Sequence, residues 1–204
     1  GLGPRLAPFF SDPVVALMGS VDDIDGGAEV PMAAGASFPD EGIALADLTL
    51  PAPMYAAFAL QAGRVDRVAA PRRTLTIMVK TRDDIGGAVG PRWVDKRLTP
   101  GDRGRLEKGS GMARRILEAA GAQHIFATHH FAAHPGGSVP IGGKAGAGVD
   151  SDLRAAAGLY VCDASVIPQP WGLPPTLTLL CLGKRLGAML AGAATGVSSG
   201  AVSR

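Results

Sequence analysis

Short apolar runs separated by glycine and proline fill the first half of the chain, the pattern of strands joined by tight loops. Residues 74–80 carry the clearest signal: Leu75, Ile77 and Val79 alternate with Thr74, Thr76 and Lys80, and only Met78 breaks the period of two. Residues 45–50 are a second strand candidate, residues 14–21 and 28–33 weaker ones, and residues 54–60 read equally well as strand or helix. From Thr99 the period changes. Thr99 suits an N-cap, Pro100 suits the first turn, and Asp102 stands three residues on, as in a shorter-armed capping box. Leu106, Met112, Ile116 and Leu117 then fall on or near one face, with Arg103, Glu107, Arg114 and Glu118 on the other. The spacing predicts a helix over about 100–120, closed by Gly121. A short strand is expected near 124–128, a glycine-rich stretch at 136–148, a strand at 159–163, and a helix over about 175–190 entered through Pro174 and Pro175. Residues 193–204 are small and polar and read as a disordered tail.

Composition bounds the function. Of 204 residues, 47% are hydrophobic and 19% charged, so the chain can bury a core, while 29 glycines and 16 prolines imply many loops. A formal charge of +2 sets up no strong field, and neither nucleic acid nor an anionic membrane is an expected partner. Lys184 and Arg185 interrupt the most apolar segment, so nothing approaches the roughly 20 residues of a membrane span. The N-terminus has no signal-peptide pattern, and the expectation is a cytoplasmic protein. Cys162 and Cys181 have neither the number nor the spacing of a disulfide framework or zinc site and are expected as buried thiols. The chain opens Gly1-Leu2-Gly3-Pro4 without a methionine, which suggests a processed product or a fragment.

Candidate chemistry gathers around the histidines, His124, His129, His130 and His134. His130 and His134 have the spacing of two metal ligands on a helix, but no glutamate follows the first, and Pro135 with two glycines ends any helix there; no metal is expected. Each histidine can instead be an ordinary half-buried side chain. A third reading is catalytic: His134 precedes Pro135-Gly136-Gly137-Ser138, where bare backbone lets a flat ligand approach and imidazole titrates near neutral pH. Downstream, an apolar strand would deliver Asp163 to its carboxyl end, the edge at which open α/β sheets hold ligands, and Pro174-Pro175-Thr176 starts a helix whose free amides could face an anionic group.

These pieces in this order resemble a known family. His134-Pro135-Gly136-Gly137, then Val149 to Arg154 (VDSDLR), Gly158 to Pro168 (GLYVCDASVIP) and Pro174 to Thr178 (PPTLT) are similar to the C-terminal signature of the glucose-methanol-choline (GMC) family of FAD-dependent oxidoreductases. The histidine-proline-glycine-glycine form is most similar to the cholesterol oxidase side of that family. The strong resemblance covers about 128–190, and 74–121 resembles, more loosely, the family's substrate-domain sheet and last helix.

The resemblance implies an α+β, α/β architecture: residues 1–127 as a substrate domain with an antiparallel sheet, and residues 128–192 as the C-terminal strand-helix part of a Rossmann-like FAD domain. No Gly-x-Gly-x-x-Gly follows a strand, so the N-terminal FAD-binding segment is expected to be missing and the chain to be a C-terminal fragment. By resemblance His134 is the active-site base, taking the hydroxyl proton of an alcohol while the adjacent carbon passes hydride to the flavin. Gly136 and Gly137 would lie close to the flavin, unless they serve a plain tight turn. Asp163 and Ala164 would touch the ribityl and pyrophosphate side, unless Asp163 merely caps its own turn. Pro175, Thr176 and Leu177 would bring a helix N-terminus beneath the pyrimidine edge, where positive dipole ends favour the reduced anion. Many relatives carry His or Asn where this chain has Leu173, which can form no side-chain hydrogen bond. Either one histidine suffices, or His129 or His130 supplies the contact, or the chemistry differs, as in the family's lyases. Trp171 and Leu173 are expected in the substrate pocket and suggest an apolar alcohol. An inactive truncated product that binds no flavin by itself is the remaining alternative.

Overall fold

The computed structural model describes residues 7–22, 24–25, 30, 32–143 and 147–198. The strands are, in chain order, β1 (Ala7–Phe9), β2 (Pro13–Ser20), β3 (Gly35–Phe38), β4 (Ile43–Asp47), β5 (Thr74–Thr81), β6 (Gly86–Val89), β7 (Val94–Asp95), β8 (Gln123–Ala127), β9 (Phe131–Ala132), β10 (Arg154–Ala156) and β11 (Leu159–Tyr160). Three helices accompany them: α1 (Ala52–Gln61), α2 (Pro100–Ala119) and α3 (Thr176–Ser198). The main sheet runs β3-β4-β5-β2-β8, with β9 pairing β2 beyond the end of β8. Its named pairs are antiparallel, and β2 faces β5 without a register break from Val14↔Lys80 to Ser20↔Thr74. β1, β6 and β7 form a small second sheet, and β10 and β11 a hairpin. The architecture is α+β on antiparallel sheets, the class predicted from the sequence.

The main sheet is covered on both faces, which explains why β2 reads as a nearly continuous apolar run. Val15, Leu17, Ile43, Leu45 and Val79 pack against Leu106, Ala113 and Leu117 of α2. Ala16 and Met18 on the opposite face pack against Tyr55 and Ala59 of α1, one helical turn apart, and Phe126. That second cover settles the ambiguous segment as a helix, and it reaches the start of β5 at Thr74. Thr74, Thr76 and Lys80 are all buried, and the Thr74 hydroxyl lies 3.1 Å from the Tyr55 hydroxyl.

α2 forms as its ends dictate. The Thr99 hydroxyl accepts from the Asp102 amide at 3.1 Å while the Asp102 carboxylate accepts from the Thr99 amide at 2.7 Å, and Gly121 follows with a left-handed φ of 75°. α3 packs Leu179, Leu182 and Leu186 onto a separate core of Phe10, Val149, Leu153, Val166 and Ile167. Its remaining leucines Leu177, Leu180 and Leu190 are exposed.

Several boundaries differ from the sequence reading. The strand at 45–50 is β4 (Ile43–Asp47), because Leu48 and Leu50 leave the sheet to pack on the α1 core and Pro51 turns the chain into α1. The expected strand at 159–163 shortens to β11, paired antiparallel with Arg154–Ala156, so no long strand carries Asp163. α3 continues to Ser198, through part of the expected tail, and residues 199–204 lie outside the described residues, as do Ala28, Glu29 and Pro31 of the candidate strand at 28–33. Neither cysteine is fully buried: Cys162 is half-buried and Cys181 exposed.

Candidate active site

β9 brings the chain alongside the start of β2, pairing Ala132 with Pro13, and the Ala133 amide donates to the Asp12 carbonyl at 3.3 Å. His134 follows, half-buried. The next residues are tied down by backbone: Gly136 exchanges bonds of 2.9 and 3.0 Å with Phe10, Gly137 donates to Ala164 at 3.2 Å, and Val139 to Ser165 at 2.9 Å. The two glycines are required by this packing. A Cβ on Gly136 would collide with the Ala164 carbonyl and come within 2.6 Å of the Phe10 ring. Gly137 has φ of 86°, and a Cβ there would stand 2.9 Å from the same ring. The loop therefore lies flat against the segment 163–166 before any ligand is considered.

The loop and that segment share a cavity of about 460 Å³, walled by Pro135, Gly136 and Ser138 on one side, Asp163, Ala164 and Ser165 on another, and Phe9, Val89 and Val94 of the small sheet. It is shallow and mostly apolar, within the size range of small-molecule sites. Asp163 caps the short 3-10 turn Ala164–Val166, its carboxylate accepting from the Ser165 amide at 2.8 Å, so the capping role occurs whatever else the residue does.

Beside His134 lies a group of buried charges. Lys80 and Asp12 are each fully buried, with Nζ and Oδ2 3.0 Å apart. Asp12 has a left-handed φ of 46°, an arrangement that aspartate and asparagine tolerate better than most residues. Asp83 next to them accepts from the Ser11 and Asp12 amides at 2.9–3.0 Å and pairs with Lys96 at 2.9 Å. Burial raises the Asp12 carboxyl, against the opposing effects of Lys80 and the Gly172 amide, and burial lowers Lys80 against the effect of Asp12. Burial, followed by the positive charge of Lys80, also lowers His134, so its imidazole is neutral at neutral pH. Its Nδ1 is buried with no hydrogen-bond partner among the described residues.

The other candidates disperse. His129 and His130 are exposed and line a separate cleft of about 920 Å³ between α2 and the sheet, with Val15, Leu17, Glu107 and Arg114. Lys80 stands opposite Val14, on the other face from Val15 and Leu17, and these two histidines stand outside the 460 Å³ cavity, whose lining takes in Pro135, Gly136 and Ser138 but not His134 itself. Trp171 packs in the α3 core and Leu173 is 47% exposed; neither lines the 460 Å³ cavity. Pro175 is buried, its carbonyl accepting the first α3 bond from Leu179 at 3.0 Å, whereas Thr176 and Leu177 are exposed and stand outside the cavity lining. The loop before α3 reaches the end of β5, where a Cβ on Gly172 would stand 2.7 Å from the Arg82 side chain.

The sequence reading missed Asp12, Lys80 and Asp83. Lys80 stands on the polar alternation of β5, and its burial beside Asp12, far upstream in the chain, has no local signal. No group of three His, Cys, Asp or Glu side chains comes together to hold a metal among the described residues. No helix among them is long and apolar enough to cross a membrane.

A family model described as GMC oxidoreductase matches residues 64–183. The chain is also similar to an uncharacterized protein of Methanocaldococcus jannaschii, 33% identical over 109 residues, which is 53% of this chain and 28% of that protein. The match thus spans little more than a quarter of that relative's length.

Proposed function

The chain belongs to the GMC oxidoreductase family, and from that premise we propose that it is the C-terminal part of an FAD-dependent oxidoreductase acting on CH-OH groups, with His134 as the base and an apolar alcohol as substrate. The observation that carries the reading is the shared wall: the loop after His134 and the Asp163–Ser165 segment, separated in sequence, border one shallow apolar cavity. Its size and apolar lining fit a ring system. Bound in that cavity, FAD supplies the hydride acceptor. The pyrophosphate end needs amides beyond this cavity, and the N-terminal FAD-binding segment of the full-length protein is the proposed source.

The remaining chemistry falls to the protein. Alcohol oxidation removes a hydroxyl proton as well as a hydride, and a neutral imidazole can take that proton. Holding His134 below its ordinary value keeps it a competent base at mildly acidic pH. Leu173, exposed and without a polar atom, contributes no second hydrogen bond, and this one observation favours a second reading in which flavin is retained without net redox turnover, as in the family's lyases.

In the flavin-loaded full-length protein, His134→Asn is expected to lower the rate of flavin reduction by the alcohol by about 10²- to 10⁴-fold with flavin content unchanged. An unchanged rate removes His134 from the chemistry.

A further inference from the structure

We propose that the hairpin of β6 and β7, through the cross-strand pair Val89 and Val94, is the third wall of the FAD site and touches the bound cofactor. The inference rests on the cavity reading given above and adds to it a contact from residues 1–127, the part of the chain expected to serve the substrate. Val89 and Val94 stand directly opposite each other, so their side chains leave the small sheet on the same face, and both line the 460 Å³ cavity together with Phe9. Val94 is 65% exposed, and Ile85 and Trp93 beside it in the chain are exposed as well. An apolar pair held open to water at the rim of an apolar cavity offers a ring system surface to cover.

The hairpin is too short to hold this position alone: β6 has four residues and β7 two, and strands of that length need outside support. Lys96, the residue after β7, supplies it. Its Nζ donates to the carbonyls of Phe9 at 2.9 Å and Asp84 at 2.6 Å, pairs with Asp83 at 2.9 Å, and lies 5.4 Å from the centre of the Phe9 ring. Asp83 in turn accepts from the Ser11 amide at 3.0 Å and the Ser11 hydroxyl at 2.9 Å, and Phe10 between them exchanges its backbone bonds with Gly136. Bonds and chain neighbours therefore run without a gap from the hairpin, through Lys96 and β1, to the loop after His134. Within the hairpin, Gly87 has φ of 70°, and a Cβ there would collide with the Asp95 carbonyl oxygen, so glycine lets the two strands close up. The valine pair thus has its place in the cavity fixed before any ligand enters, which spares the cost of ordering a wall on binding.

The full-length protein, stripped of its flavin, is titrated with FAD as the Val94→Glu variant and, for control, as Val65→Glu. Val65 is 71% exposed and outside the cavity lining, and because both valines are exposed neither substitution disturbs a core. A carboxylate pressed against a bound ring loses its water, so Val94→Glu raises the FAD Kd by at least about tenfold, whereas Val65→Glu leaves it unchanged. In the unsubstituted protein, hydrogen–deuterium exchange of a peptide spanning 86–96 slows on FAD binding. An unaltered Kd in Val94→Glu overturns the proposal, and so does exchange at 86–96 that FAD leaves as it was. If peptides spanning 134–141 and 161–168 gain protection in that case, the cavity reading stands and the hairpin wall alone falls; if they do not, the two fall together.

Discussion

Gly137 concentrates three demands on one position: a left-handed backbone, an amide bonded to Ala164, and a Phe10 ring too close to admit a Cβ. Gly137→Ala is therefore expected to lose more than about 1 kcal/mol in urea unfolding, from backbone strain and overpacking together. Gly63, equally left-handed but with open space around it, is the control, since alanine there meets strain alone. A loss at Gly137 no greater than at Gly63 would mean the Phe10 contact is slack. These glycines were visible in the sequence as a motif, but their immediate partners were not, because Phe10 lies more than a hundred residues upstream. Lys80 was hidden for a related reason: its alternation in β5 is correct, but its ion-pair partner Asp12 comes from a distant part of the chain.

α2 was legible almost to the residue, since its capping signals and apolar stripe are local. Its first turn also carries an electrostatic tie. Asp102 accepts from the Thr99 amide, the Asp84 amide at 3.0 Å and the Arg105 guanidinium, joining the helix to the loop after β5. Burial alone would raise this carboxyl; the Thr99 and Asp84 amides, the Thr99 hydroxyl and Arg105 outweigh it and hold the group below its ordinary value. A carboxyl so lowered contributes its full stabilisation above about pH 4 and loses it as pH falls through the folded-state value. Asp102→Asn should thus cost about 1–3 kcal/mol at neutral pH, with the gap to the unsubstituted chain closing in acid. A gap that stays constant down to pH 2 would contradict that assignment. The short elements were harder. β11 stops at Tyr160 because its partner β10 is only three residues long, and no local signal in the apolar run announces where a partner ends.

Across the whole molecule, the main sheet and the α3 core meet at Phe10 and Asp12, and the candidate site sits in that seam. The motif order from His134 to Thr178 made the family readable, and the family match over residues 64–183 agrees with it. What the order could not give is which pieces converge: the His134 loop reaches Ala164, whereas the loop before α3 packs Gly172 against Arg82, and His129 and His130 turn to the α2 face. Leu177 and Leu180, 74% and 66% exposed, form an apolar outer face on α3 that the described residues leave uncovered. Hydrogen–deuterium exchange of the full-length protein, stripped of FAD and then saturated with it, tests the proposed cavity most directly. Peptides spanning 134–141 and 161–168 should gain protection together on FAD binding. Stoichiometric FAD binding with unaltered exchange in both segments would contradict the proposed site.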